Sequence, residues 1–221
     1  LPQFIYKVDA MTGKRDILVQ SGSSALGQAQ FSPAGDVLYY VSFDPKSRKA
    51  CLMGKSLASG QEEEFFDQEG AVNHAWGLKF AISPDGQRLA VATLTVNIPA
   101  GKVETRILTV PAKGGEPKEL LKLDLAHFQR AGVAWTPDGR SLLFTGPVQD
   151  RGGALFSIPA EGGAAREVSR LQTMTYGVLL GTLDLNPDGR RLAFDCFEYR
   201  HEVWAMGNFL PAPASPTSKN E

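Results

Sequence analysis

Apolar and polar residues alternate in short runs along most of this chain, and the runs return at a fixed distance. Around Pro33, Pro84, Pro137 and Pro187, which are 51, 53 and 50 positions apart, one pattern is written four times. Two positions before each proline stand Phe31, Ile82, Trp135 and Leu185, and four before stand Ala29, Phe80, Val133 and Leu183. Five positions after it are Leu38, Leu89, Leu142 and Leu192; seven after are Tyr40, Val91, Phe144 and Phe194. Every one of these sites is apolar, and their even spacing is the period of a β-strand, whose alternate side chains share a face. Between the two halves lie Ser32-Pro33-Ala34-Gly35, Ser83-Pro84-Asp85-Gly86, Thr136-Pro137-Asp138-Gly139 and Asn186-Pro187-Asp188-Gly189. Ser, Thr or Asn bonds back to the backbone, Pro pre-sets the next φ, and Gly closes a type I turn. The pattern therefore predicts strand, tight turn, strand, four times over.

A second echo follows each hairpin. Ile107-Leu108-Thr109-Val110, Leu155-Phe156-Ser157-Ile158 and Val203-Trp204-Ala205-Met206 are apolar runs of strand length. After the first two, Gly114-Gly115 and Gly162-Gly163 mark a turn into a shorter fourth strand. The unit is looser at Cys51-Leu52-Met53, Gly60 and Phe65-Phe66, and Ile5-Tyr6-Lys7-Val8, Gly13 and Ile17-Leu18 carry it at the amino end. Four strands in about fifty residues is a β-propeller blade. The expected fold is all-β, with about four four-stranded antiparallel blades in an incomplete ring. Residues 1–22 read as the outer two strands of a preceding blade. Blades follow at 23–68, 69–124 and 125–172, then a last blade at 173–210 without its fourth strand, and a disordered tail at 211–221 rich in Pro, Ser and Ala. A propeller limits exposed edges by closing on itself, so missing amino-terminal blades of a longer protein are expected to complete the ring. Closure through residues 1–21 instead would set two strands in competition for one place.

The repeated (S/T/N)PDGxxLxF hairpin, the LFSI-type third strand and the GG-containing turn into a fourth strand resemble the WD-like repeat of the TolB-like bacterial β-propellers, over roughly residues 3–206. The ending EVWAMGNFLP, residues 202–211, also resembles the ends of large bacterial multidomain proteins that carry such a propeller behind a serine/threonine kinase or a winged-helix domain. The resemblance implies the carboxy-terminal part of a sensor or regulator, with the propeller as its binding module. A periplasmic or other extracytoplasmic site is expected, with a cytoplasmic one as the alternative. Ala34 departs from the pattern, which has Asp there.

Composition adds boundaries. A net charge of −1 gives no global attraction to nucleic acid or to an anionic membrane. No run approaches the roughly 18 apolar residues of a membrane span, so no direct membrane insertion is expected of this segment, and no signal peptide is visible. Cys51 and Cys196 fall in different blades and read as buried free thiols.

Candidate chemistry is sparse. The sequence has no G-x-S-x-G elbow, H-E-x-x-H, C-x-x-C, EF-hand loop or Walker motif, so neither catalytic residues nor a metal or cofactor are assigned. Glu62-Glu63-Glu64 reads as a solvated outer strand. Asp85, Asp138 and Asp188 read as turn residues that satisfy local backbone donors. His74 and His127 stand nine positions before the first turn residue of adjacent blades, in the connections leading to inner strands. Trp76, Arg130 and Tyr176 accompany them. These five form a candidate binding rim, and ordinary surface loops in chance register are the plain alternative. The function expected is a non-catalytic interaction or ligand-sensing module for a protein or small molecule at the loop face. Two alternatives stay open: the propeller gating domain of a serine oligopeptidase whose catalytic domain lies elsewhere, and a propeller hydrolase or lyase with its site in the channel.

Overall fold

The computed structural model describes residues 2–69, 77–97, 102–125, 132–147, 153–171, 179–186 and 188–197. Sixteen strands run through them and no helix. The first sheet pairs β1 (Phe4–Val8) with β2 (Arg15–Gln20). Three four-stranded antiparallel meanders follow. They are β3 (Ala25–Phe31), β4 (Val37–Asp44), β5 (Lys49–Ser56) and β6 (Glu62–Gln68); β7 (Leu78–Ile82), β8 (Arg88–Asn97), β9 (Lys102–Pro111) and β10 (Lys118–Leu125); and β11 (Val133–Trp135), β12 (Ser141–Pro147), β13 (Gly153–Pro159) and β14 (Arg166–Leu171). A last sheet pairs β15 (Leu179–Leu185) with β16 (Leu192–Phe197). The run 203–206, expected as a third strand there, lies outside the described residues.

The repeated apolar sites explain how the sheets stack. Phe80, Ile82, Leu89 and Val91 pack on Tyr39, Val41 and Leu52 of the preceding blade. Val133, Trp135, Leu142 and Phe144 pack on Ala90 and Ala92, with Ala81 alongside. Leu38 and Tyr40 meet Val19 and Ile5 of the first sheet, and Leu183 with Leu185 and Leu192 meets Ala134 and Leu155. Each blade thus turns its repeated face backward, toward the blade before it in sequence. A bulky row on one sheet needs small or interdigitating residues on the next to reach the density of a protein interior. Three alanines beneath Trp135 supply that room. Among the described residues no cluster joins β15–β16 to β1–β2, and the ring is not closed.

The four turns form as their residues predict. Gly35, Gly86, Gly139 and Gly189 donate to the carbonyls of Ser32, Ser83, Thr136 and Asn186 at 2.8–2.9 Å. Asp85, Asp138 and Asp188 accept from the amides of Gln87, Arg140 and Arg190, so they serve the turn. In the second blade the Ser83 hydroxyl donates to Asp85 at 2.6 Å, and this bond, then the Gln87 amide, holds the Asp85 carboxyl below its usual range. In the first blade Ala34 cannot do this. Asp36, two residues on, accepts from the Ser32 hydroxyl at 2.6 Å instead. The turns also stack: a Cβ on Gly86 would stand 3.3 Å from Pro33, and one on Gly189 would stand 3.1 Å from Pro137. Gly86, Gly139 and Gly189 therefore lie against the proline of the blade before, and their φ values of 65–69° are ones that L side chains rarely adopt.

Candidate functional site: an axial cleft

The innermost strands β3, β7, β11 and β15 converge on a cleft of about 700 Å³. Ala29, Ala81, Ile82, Ala134, Trp135 and Leu183 give it an apolar wall, and Pro33, Pro84 and Pro137 edge it. Its polar side chains include Gln28, Gln30, Asp184 and Asn186. Volumes of roughly 300–1,000 Å³ with a few convergent polar groups are characteristic of ligand sites.

Strand chemistry explains the lining. The bonds from Ser83 N to Arg88 O and from Leu94 N to Gly77 O place the ladder of β7 at its odd residues. The amide and carbonyl of Phe80 therefore point away from β8, toward the axis. Gln28, from the blade before, meets both: its Nε2 donates to Phe80 O at 2.7 Å, and Phe80 N donates to its Oε1 at 3.2 Å. Trp135 Nε1 also reaches back to the blade before, donating to Ala81 O at 3.1 Å. Arg88 stacks on the Trp135 ring at 4.8 Å and donates to Gly139 O and to Glu161. Gln28 and Trp135 are thus occupied in holding blades together, whereas Gln30, Asp184 and Asn186 are exposed in the cleft.

His74, Trp76, His127, Arg130 and Tyr176 lie outside the described residues. The connections that carry the histidines lead into the starts of β7 and β11. The cleft is lined instead by the later halves of the inner strands and by the turns, so it opens at the opposite end of those strands. Sequence reasoning missed it, although a signal was present. Counted back from the proline, the fifth position reads Gln28, Lys79, Gly132 and Thr182, and the third reads Gln30, Ala81, Ala134 and Asp184. These are the inner-strand positions where the repeat does not repeat.

Other candidates take structural roles. Cys51 is a free, half-buried thiol; burial first, then Glu64, push its pKa up to about 12, which leaves it unreactive at neutral pH. Cys196 has no described side chain. Glu62 and Glu64 are on β6 as expected, paired with Lys55 and Lys49. Among the described residues no three His, Cys, Asp or Glu gather as metal ligands, and no helix is long and apolar enough to cross a membrane.

The architecture has clear counterparts among solved structures. TolB from Acinetobacter baumannii superposes with a TM-score of 0.63 over 86% of this chain, at 17% identity. The fold is that of a TolB-like β-propeller. A chain in the nidogen/laminin complex matches at TM-score 0.61 and 13% identity over 86% of this one, and an acylaminoacyl peptidase from Pyrococcus horikoshii at 0.53 and 13% over 85%. This chain is shorter than its counterparts: it spans 42% of the TolB chain, 66% of the nidogen/laminin chain and 30% of the peptidase. No protein-family model matches it, and no curated protein matches it by sequence.

Proposed function

We propose that this propeller is a non-catalytic interaction or sensing module of a larger bacterial protein, taking a protein or small-molecule ligand along the blade axis. The cleft of about 700 Å³ between the inner strands of four sheets carries this reading. It joins an apolar wall to exposed polar groups that are not spent on holding the blades, the composition by which ligand sites combine affinity with orientation. The candidate rim of His74, Trp76, His127, Arg130 and Tyr176 belongs to the same proposal. The appearance of this architecture in a nidogen/laminin complex supports a role in protein assembly.

Peptides selected from a displayed library on the intact chain provide the probe. Gln30→Trp, which fills the cleft from an exposed position, is expected to weaken the selected peptides at least about tenfold. His74→Ala with His127→Ala is expected to do the same, and both variants should keep the wild-type Tm. Binders indifferent to both variants would place recognition elsewhere. Parallel loss of Tm and binding would make these residues structural.

A further inference from the structure

The two joints between whole blades match residue by residue, and they differ in what fills them. Between the second and third blades, Arg88 leaves β8 and lies across the joint. Its Nη1 pairs with Glu161 at 2.7 Å, its Nη2 donates to Gly139 O at 3.0 Å, and its guanidinium stands 4.8 Å from the centre of the Trp135 ring. Lys118 joins from β10, its Nζ donating to Glu161 O at 2.9 Å. One arginine thus meets a carboxylate, a turn carbonyl and an aromatic face, the partners that suit a planar, delocalised cation.

Strand register identifies the counterparts between the first and second blades. Arg88 is paired with Pro111 and Val37 with Ser56, so Val37 stands where Arg88 does. Thr109 is paired with Lys118 and Gly54 with Glu63, so Glu63 stands where Lys118 does. Gly86 takes the place of Gly139: a Cβ on the first would stand 3.3 Å from Pro33, and on the second 3.8 Å from Pro84. Val37 is too short to cross the joint. In its place is a groove of about 500 Å³ lined by Val37, Gly54, Ser56, Gln61, Glu63 and Phe65.

This groove lacks the cation and keeps groups that bind one. Glu62 and Glu64 are paired with Lys55 and Lys49, whereas Glu63 has no ion pair among the described residues. Ile82 stands where Trp135 does and offers no ring. Phe65, at the bulge of β6 where β10 has Leu120, brings a ring from the outer side instead. Gly54 makes room for it, since the Phe65 ring lies where a Cβ of Gly54 would be, and Tyr39 meets that ring edge-on at 5.4 Å. Lys113 takes the place of Glu161 in the repeat, and it too has no ion pair among the described residues.

We propose that the groove receives an arginine side chain of a partner protein, which docks from outside where Arg88 docks from within. Its guanidinium pairs with Glu63, lies against Phe65 and has the Gly86 carbonyl as the counterpart of Gly139 O. Arginine suits the groove better than lysine, because a planar fork can bond a carboxylate while its face rests on a ring. The groove belongs to strands β4, β5 and β6, apart from the axial cleft, so it stands whether or not the cleft binds a ligand.

The test is an NMR titration of the intact, isotope-labelled chain with three probes: acetyl-arginine methylamide, its uncharged citrulline counterpart and free L-arginine. The blocked arginine is expected to shift the amides of Val37, Gly54, Glu63 and Phe65, and the citrulline compound to bind at least about tenfold more weakly. Glu63→Gln, at an exposed position, is expected to weaken binding at least about fivefold at unchanged Tm. Val37→Arg is expected to fill the groove from within, abolishing binding while keeping or raising Tm. Lys113→Ala should leave both unchanged. Absence of the shifts, equal binding of the citrulline compound, or binding that survives Glu63→Gln would each overturn the proposal. So would binding to a folded Val37→Arg chain. Free L-arginine binding more tightly than the blocked form would make the ligand a small molecule and overturn the protein partner. Matched losses of Tm in Glu63→Gln and Lys113→Ala would make the groove an internal ion pair and overturn it as well.

Discussion

Replacing Trp135 with alanine is expected to destabilise the protein by about 3–5 kcal/mol, the range for emptying a buried aromatic site. The indole is buried between the second and third whole blades, over Ala81, Ala90 and Ala92. Its Nε1 bonds Ala81 O, and Arg88 lies on its face. Three contributions vanish together: the transfer of the ring from water, the hydrogen bond and the cation–π contact. The hydrogen bond alone is the smaller part, so Trp135→Phe should cost only about 1 kcal/mol. Because repeat stability is a sum of units and their interfaces, Trp135→Ala should also broaden the urea transition as the two blades uncouple. Met11→Ala, at an almost fully exposed turn residue, should fall within about 0.5 kcal/mol of wild type. A loss at Trp135 no larger than that control would mean that the repeated face does not hold the blades together.

Gly132→Ala is expected to cost about 1–3 kcal/mol despite adding a single methyl group. The new Cβ would stand 2.9 Å from Leu183 Cβ and 3.1 Å from Leu183 N, so it meets the backbone of β15 where no side chain can swing aside. Gly132 cannot retreat either. Its amide donates to Thr145 Oγ1 and its carbonyl accepts from Thr145 N. The last sheet has to move, and limited proteolysis should show it released first. Gly22→Ala, with open space around it and no left-handed φ, is the control and should be close to neutral. Equal effects at the two glycines would refute the close seating of β15.

The fold was legible because its main determinant is local and repeated. Alternation across a tight turn sets strand, turn and strand, and four copies separate the invariant sites from the incidental ones. The copies also show Ser83 exchanging with Thr and Asn, and Asp85 with Ala, which a turn tolerates and a nucleophile does not; the Ser83 hydroxyl bonds Asp85 within the turn. The backward direction of every repeated face was not legible, since periodicity says that residues share a face but not which neighbour it meets. The roles of Gln28 and Gly132 were hidden for the same reason. Gln28 caps Phe80, 52 residues away, and Gly132 matters through Leu183 in the next blade. Such residues differ between copies, so a search for sameness passes over them. The cleft is built from these differences. The candidate rim rests on histidine register, and its residues lie outside the described ones.

Amide hydrogen exchange with and without a peptide selected on the intact chain tests the binding role most directly. The axial reading predicts added protection at residues 28–31, 80–84, 134–137 and 182–186, and in the connections that carry His74 and His127. Protection confined to the outer strands β6, β10 and β14, with the inner strands unchanged, would contradict it.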